Sequence, residues 1–160
     1  MTSKDLAAAS SARRSGHKTV TTEQLVPLLR VSLGAWKRDS LEKPMQRRLA
    51  GRVSVLSAEY SRGSESASVG VNDAGKPSTV VAQWEGGPVE RQVEGGRERS
   101  CKADGRVVTE TFSDANHEAS VVFTLANGVS IVATSQTADT AALKSLIEAM
   151  DLASAEKLKR

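Results

Sequence analysis

Between Val53 and Thr134, small aliphatic residues return at every second position in short runs divided by glycine-bearing turns. Such alternation suits strands with one dry face, because successive side chains point to opposite sides of a sheet. The clearest instance is Ala119 to Leu125, then Asn127-Gly128, then Val129 to Thr134. Asn-Gly tolerates the left-handed backbone of a tight hairpin turn. A two-residue loop is therefore expected, with Phe123 opposite Val132 and Thr124 opposite Ile131.

Other runs extend the pattern. Ala67, Val69 and Val71 alternate with Ser68, Gly70 and Asn72, and should pair across Gly63 with the segment from Val53 to Tyr60. In that segment the apolar phase slips between Val55 and Leu56, which predicts a bulge or bend. Arg97 to Ala103 and Arg106 to Phe112 are expected as strands around an Asp104-Gly105 turn. The middle is less patterned. Thr79 to Trp84 is a short apolar element of open type, and the charged stretch between Gly86-Gly87-Pro88 and Gly95-Gly96 is expected as a mobile loop or exposed edge strands.

Helical spacing is confined to the two ends. Thr21 and Gln24 have capping-box spacing ahead of Leu25, Leu28 and Leu29, with Pro27 limiting regularity and Gly34 ending the element before a strand from Trp36 to Leu41. After Asp139, Leu143, Leu146, Ile147 and Met150 form one apolar stripe. A short helical piece is expected from Asp151 to Lys159. The fold class expected is α+β: a twisted antiparallel sheet of about five to seven strands with an N-terminal helix and a C-terminal amphipathic helix packed on it. Residues 1–20, poor in large apolar groups, read as a disordered basic arm, and residues 21–160 as a single domain. With only Trp36, Trp84, Tyr60, Phe112 and Phe123 aromatic, the core must come mainly from Val, Leu, Ile and Ala.

Charge is unevenly placed. Residues 1–52 carry eleven Lys or Arg against four Asp or Glu, whereas residues 53–160 carry eleven against fifteen, so the two parts are +7 and −4. Lys37, Arg38, Lys43, Arg47, Arg48 and Arg52 could serve nucleic acid or an anionic surface, with Trp36 as one stacking ring. A true single-strand platform would interleave more aromatics. The exposed middle, with Trp84, Arg91, Arg97 and Arg99, is the expected surface for a protein partner.

Few residues suggest chemistry. The single cysteine, Cys101, excludes an internal disulfide and a cysteine-based zinc site, and reads as a strand residue. The histidines are His17, in the arm, and His117, in a turn beside Asp114 and Glu118, where it could bind a cation only weakly or serve as a lone hydrolase base. Nucleophile-elbow, P-loop and dinucleotide motifs are missing from the sequence. Accordingly no enzyme activity, cofactor or metal is expected. No apolar run reaches the roughly 18–20 residues that span a bilayer, and Met1 to Val20 lacks the apolar core of a signal peptide.

The order of the pieces resembles a functionally uncharacterised family of small bacterial exported or envelope proteins. The residues that carry this are the leucine-rich opening before Gly34-Ala35-Trp36-Lys37-Arg38, Val55 to Tyr60 followed by Ala67 to Asp73, the Asp104 to Phe112 strand, the Ser120 to Thr134 hairpin, and Leu143 to Lys159 with Asp151-Leu152. The likeness covers roughly residues 25–159. At fold level the order more distantly resembles PsbP-like and DcrB-like domains. The resemblance implies a non-enzymatic protein-binding or structural module of the bacterial envelope or a secretion-type assembly. Its location would be the envelope or periplasm if a leader was removed, and the cytoplasm otherwise.

Overall fold

The computed structural model describes residues 19–42 and 47–160. The expected disordered arm lies outside the described residues except for Thr19 and Val20, and Val20 is buried. Thr21 caps a short helix, α1 (Thr22–Leu25), through the reciprocal capping box, and the chain continues as a 3-10 turn over Val26–Leu28 that has Pro27 in its first turn. Then follow β1 (Ser32–Leu33), β2 (Trp36–Glu42), β3 (Arg47–Leu49), β4 (Arg52–Ser54), β5 (Leu56–Arg62), β6 (Glu65–Asp73), α2 (Thr79–Gln83), β7 (Val89–Val93), β8 (Gly96–Ala103), β9 (Arg106–Ser113), β10 (Glu118–Thr124), β11 (Val129–Ser135), α3 (Thr140–Glu148) and α4 (Leu152–Glu156).

Nine strands form one antiparallel sheet in the order β1-β2-β5-β6-β11-β10-β9-β8-β7, and β3 and β4 form a separate ribbon. The fold remains α+β, but the expectation of a sheet of five to seven strands is corrected: the sheet has nine, and the described helices that accompany it are few and short. Two of the nine have no apolar alternation to announce them. β1 is two residues long, and β7 carries polar side chains on an exposed edge. Among the helices of the described residues, only α3, at nine residues, exceeds five.

The hairpin register is also corrected. Phe123 pairs with Ile131 and Thr124 with Ser130. Gly128 donates to the Leu125 carbonyl, Leu125 donates to Val129, and Gly128 alone takes a positive φ of 93°. This is a three-residue loop ending in a left-handed glycine, not a two-residue one. Ile131 and Val132 are both fully buried, on opposite faces, so alternation along β11 could not decide between the registers. By contrast the Asp104-Gly105 turn has positive φ at both residues, 55° and 75°, as a two-residue hairpin loop requires.

One face of the sheet carries the core. Leu56, Ala58, Tyr60, Val69, Val71, Val121, Phe123, Ile131 and Ala133 meet Leu25, Leu28 and Leu29 at one end and Leu143, Leu146, Ile147 and Met150 at the other. Burying each of the four residues on the α3 side contributes roughly 1.5–3 kcal/mol. The reverse face is rich in Ser and Thr and has a small second cluster, where Leu49 of the ribbon seals Val122 and Val132. Two buried polar groups tie the ends in. Tyr60 donates its hydroxyl to the Arg30 carbonyl at 2.7 Å. Burial pushes that hydroxyl up to about 12, against the opposing pull of Arg38. Asp73 accepts from the backbone N–H of Val20 at 2.8 Å and of Gly75 at 3.0 Å, and pairs with the Arg160 guanidinium. Burial pushes the Asp73 carboxyl up, but Arg160 and the two backbone donors outweigh it and hold the group below the usual aspartate range.

Candidate functional site

The sheet outruns its helical cover. α3 lies over β9, β10 and β11, so β8 and β7 project past it as a two-stranded ribbon. Registers assign their faces. Cys101 is opposite Val108, Arg99 opposite Glu110 and Arg97 opposite Phe112, and these β9 residues are in turn opposite Phe123, Val121 and Ala119 of the core face. Arg97 and Arg99 therefore stand on the helix side of the sheet. There, beside Thr140 at the start of α3, they border a cavity of about 420 Å³ with the half-buried Phe112 at its floor.

Two cross-strand rows make up this groove. Gln92, Arg97 and Phe112 form one, and Glu90, Arg99 and Glu110 the other. Arg99 lies 3.7 Å from a Glu90 whose side chain is 75% exposed, while Arg97 has no ion-pair or hydrogen-bond partner among the described residues. Among the described residues no strand follows along the outer edge of β7, and residues 89–92 are exposed on both faces, Val89 at 51%. The two-residue loop Glu94-Gly95 closes the hairpin on the pair Val93 and Gly96. Since hydrogen-bonded and non-hydrogen-bonded pairs alternate from there, the N–H and C=O groups of Glu90 and Gln92 point away from β8, toward solvent. Gly96 is obligatory here, since a Cβ would overlap the Phe112 carbonyl.

Of the four residues expected at a partner surface, Arg91, Arg97 and Arg99 line the cavity, Arg97 and Arg99 from the helix side of the sheet. Arg91 is on the reverse face, held by Glu98 through a 3.0 Å hydrogen bond. Trp84 caps α2, which rests against β9 with Lys102 donating to the Val81 carbonyl at 2.9 Å. The Trp84 indole N–H is buried and has no hydrogen-bond partner among the described residues. Glu90, Gln92, Glu110 and Phe112 were missed. Their signal was a tight turn at Glu94-Gly95, which pairs the acidic and basic residues of the charged stretch across two strands.

The basic set is dispersed. Lys37 pairs with Ser61 on the reverse face, while Arg38, opposite Tyr60, is half-buried and caps the Leu29 carbonyl at 2.7 Å. Lys43 lies outside the described residues. Arg47 opens β3, and Arg48 and Arg52 are exposed on opposite sides of the ribbon, since Arg52 is paired with the sheet-facing Leu49. Arg52 and Lys76 line a second cavity of about 190 Å³.

His117 occupies an exposed turn with a left-handed backbone, φ 50°. Cys101 is half-buried against the core. Among the described residues, no three His, Cys, Asp or Glu side chains converge in a way that could hold a metal ion. No helix of the described residues is long and apolar enough to cross a membrane. The chain matches no family model, no curated protein and no solved structure.

Proposed function

We propose that this chain is a non-enzymatic protein-binding module that takes an extended segment of a partner along the free edge of β7. The observation that carries the reading is the edge itself. It offers five residues in unbroken register with β8 on one side, no strand on the other among the described residues, and a groove opening beside it. Strand addition draws its affinity from main-chain hydrogen bonds and its selectivity from pockets for alternate side chains, and this edge has both. The resemblance to exported proteins favours an envelope or secretion-type setting, which fractionation of the producing cell checks.

The test titrates a β-branched peptide of alternating Thr and Val into isotopically labelled protein. The amides of Glu90 and Gln92 should shift, and Gln92→Pro, which removes one outward donor without touching the β8 ladder, should abolish the effect. Shifts confined to β2 or the helices would refute the proposal. A second reading, binding of nucleic acid or an anionic surface, is favoured by the shared cavity of Arg52 and Lys76. It requires that Arg52→Ala together with Lys76→Ala remove a salt-sensitive affinity for an oligonucleotide or for anionic vesicles.

A further inference from the structure

The two rows of the groove differ in sign. In the row Gln92, Arg97 and Phe112 the only charge is Arg97, and it has no counter-ion among the described residues. In the row Glu90, Arg99 and Glu110, two carboxylates face one guanidinium. The groove thus carries a positive row and a negative row, two residues apart along the strands, which is about 6.8 Å. Groove-facing side chains of an added strand have the same spacing.

Building on the strand-addition reading above, we infer that the segment received by β7 is an antiparallel strand with an acidic residue, then any β-prone residue, then a basic residue. The order follows from direction. An antiparallel strand passes Gln92 before Glu90, so its acidic side chain meets the Arg97 row and its basic side chain, two positions later, meets the Glu90 row. Its backbone lies about 10 Å from that of β8, two strand spacings away. An acidic side chain and the extended Arg97 side chain together cover that distance. The residue between them faces the reverse side, opposite Arg91 and between Val89 and Val93, where a β-branched side chain suits the pleat.

A second copy of this chain fits worse. In the antiparallel register centred on Arg91, the copy's Glu90 would meet the Arg97 row, but its Gln92 would face the negative row and Arg91 would oppose Arg91 across the new seam. Shifting by one position to centre on Glu90, or on Gln92, places Glu90 against Glu90 or against Glu94. Each of these three registers sets like charges against each other. A heterologous strand with alternating opposite charges avoids this.

The experiment measures fluorescence anisotropy of tagged heptapeptides on the whole chain. One peptide carries Glu-Val-Lys at its centre between Thr-Val and Val-Thr flanks, and the others carry Gln-Val-Gln, Lys-Val-Glu or Lys-Val-Lys in the same frame. The Glu-Val-Lys peptide should bind about tenfold tighter than the Gln-Val-Gln peptide, as one charge-assisted contact allows. Arg97→Gln should remove the part of that advantage carried by the acidic residue, and Arg97→Glu should make the Lys-Val-Lys peptide the tightest binder. Because Arg97 is exposed and its side chain has no partner among the described residues, circular dichroism of both variants should match the parent.

Equal binding of all four peptides, lost together in Gln92→Pro, overturns the charge rule and leaves strand addition standing. A Lys-Val-Glu peptide that binds best overturns the antiparallel assignment. No binding by any peptide overturns both proposals. A dimer in light scattering that Gln92→Pro splits shows that a second copy fills the edge, and also overturns the inference.

Discussion

Asp73 should be among the costliest surface-proximal residues to replace. Its side chain is 1% exposed, at the end of β6, and gathers the Val20 and Gly75 N–H groups and the Arg160 guanidinium, so it joins the start of the described chain, a turn and the last residue. In Asp73→Ala the buried Val20 N–H keeps no acceptor, a loss of about 1–3 kcal/mol. The Arg160 contact adds at most about 1 kcal/mol, since that side chain can turn back to water. The expected total is about 3 kcal/mol. Asp73→Asn keeps one acceptor oxygen and should lose about half as much. Urea unfolding followed by tryptophan fluorescence measures both.

The sign of the pH dependence is set by the lowered carboxyl. The folded group titrates below the ordinary 3.8, so its stabilisation is complete above that value and is lost as pH falls through the lower, folded one. The gap between the parent and Asp73→Asn should therefore be full at neutral pH and shrink below about pH 4. A gap under about 0.5 kcal/mol at neutral pH, the ordinary scatter of surface changes, would refute the hub. A gap unchanged by acid would show that the charge contributes nothing.

Two further predictions concern burial and backbone. Tyr60 is the chain's only tyrosine, so ultraviolet difference titration reports it alone; the midpoint should be about 12 in the folded protein and 10.0 in denaturant, and stability should fall as pH rises through that interval in the parent but not in Tyr60→Phe, whereas a folded midpoint at 10.0 would contradict the buried Arg30 contact. Gly128→Ala meets both a positive φ and the Lys76 carbonyl and should cost about 3 kcal/mol or more in urea unfolding, while Gly105→Ala, with positive φ but open space, should cost about 1 kcal/mol; equal costs would refute the steric contribution.

The legible parts of this fold were those where side-chain pattern and turn chemistry agree. The stripe from Leu143 to Met150 and the pairing of β5 with β6 follow directly from spacing. The phase slip at Val55 marks the bend between β4 and β5. β7 was legible only as one of two alternatives, a mobile loop or exposed edge strands, because its positions 90–92 are polar and exposed on both faces, which removes the contrast that periodicity detects. The register of β10 on β11 was hidden for the opposite reason, since all seven residues of β11 are buried. In the groove, Arg97 and Arg99 could be picked out as charges, but their acidic and aromatic neighbours arrive from other strands. Trp84 and Arg91 lie close to them in sequence yet occupy a helix end and the opposite face.

β11 joins two half-sheets, pairing with β6 on one side and β10 on the other. Its partner contact from Val129 to Asp73 spans 56 residues, so a nascent chain finishes β6 long before the strand that covers it exists. At about 5–20 residues per second the ribosome needs roughly 3–11 s to make the intervening stretch. Throughout that interval the inner margin of β6 is bare and can anneal to other chains. Chaperone contact with nascent chains should thus be strongest after residue 73 emerges and fall away once β11 clears the exit tunnel.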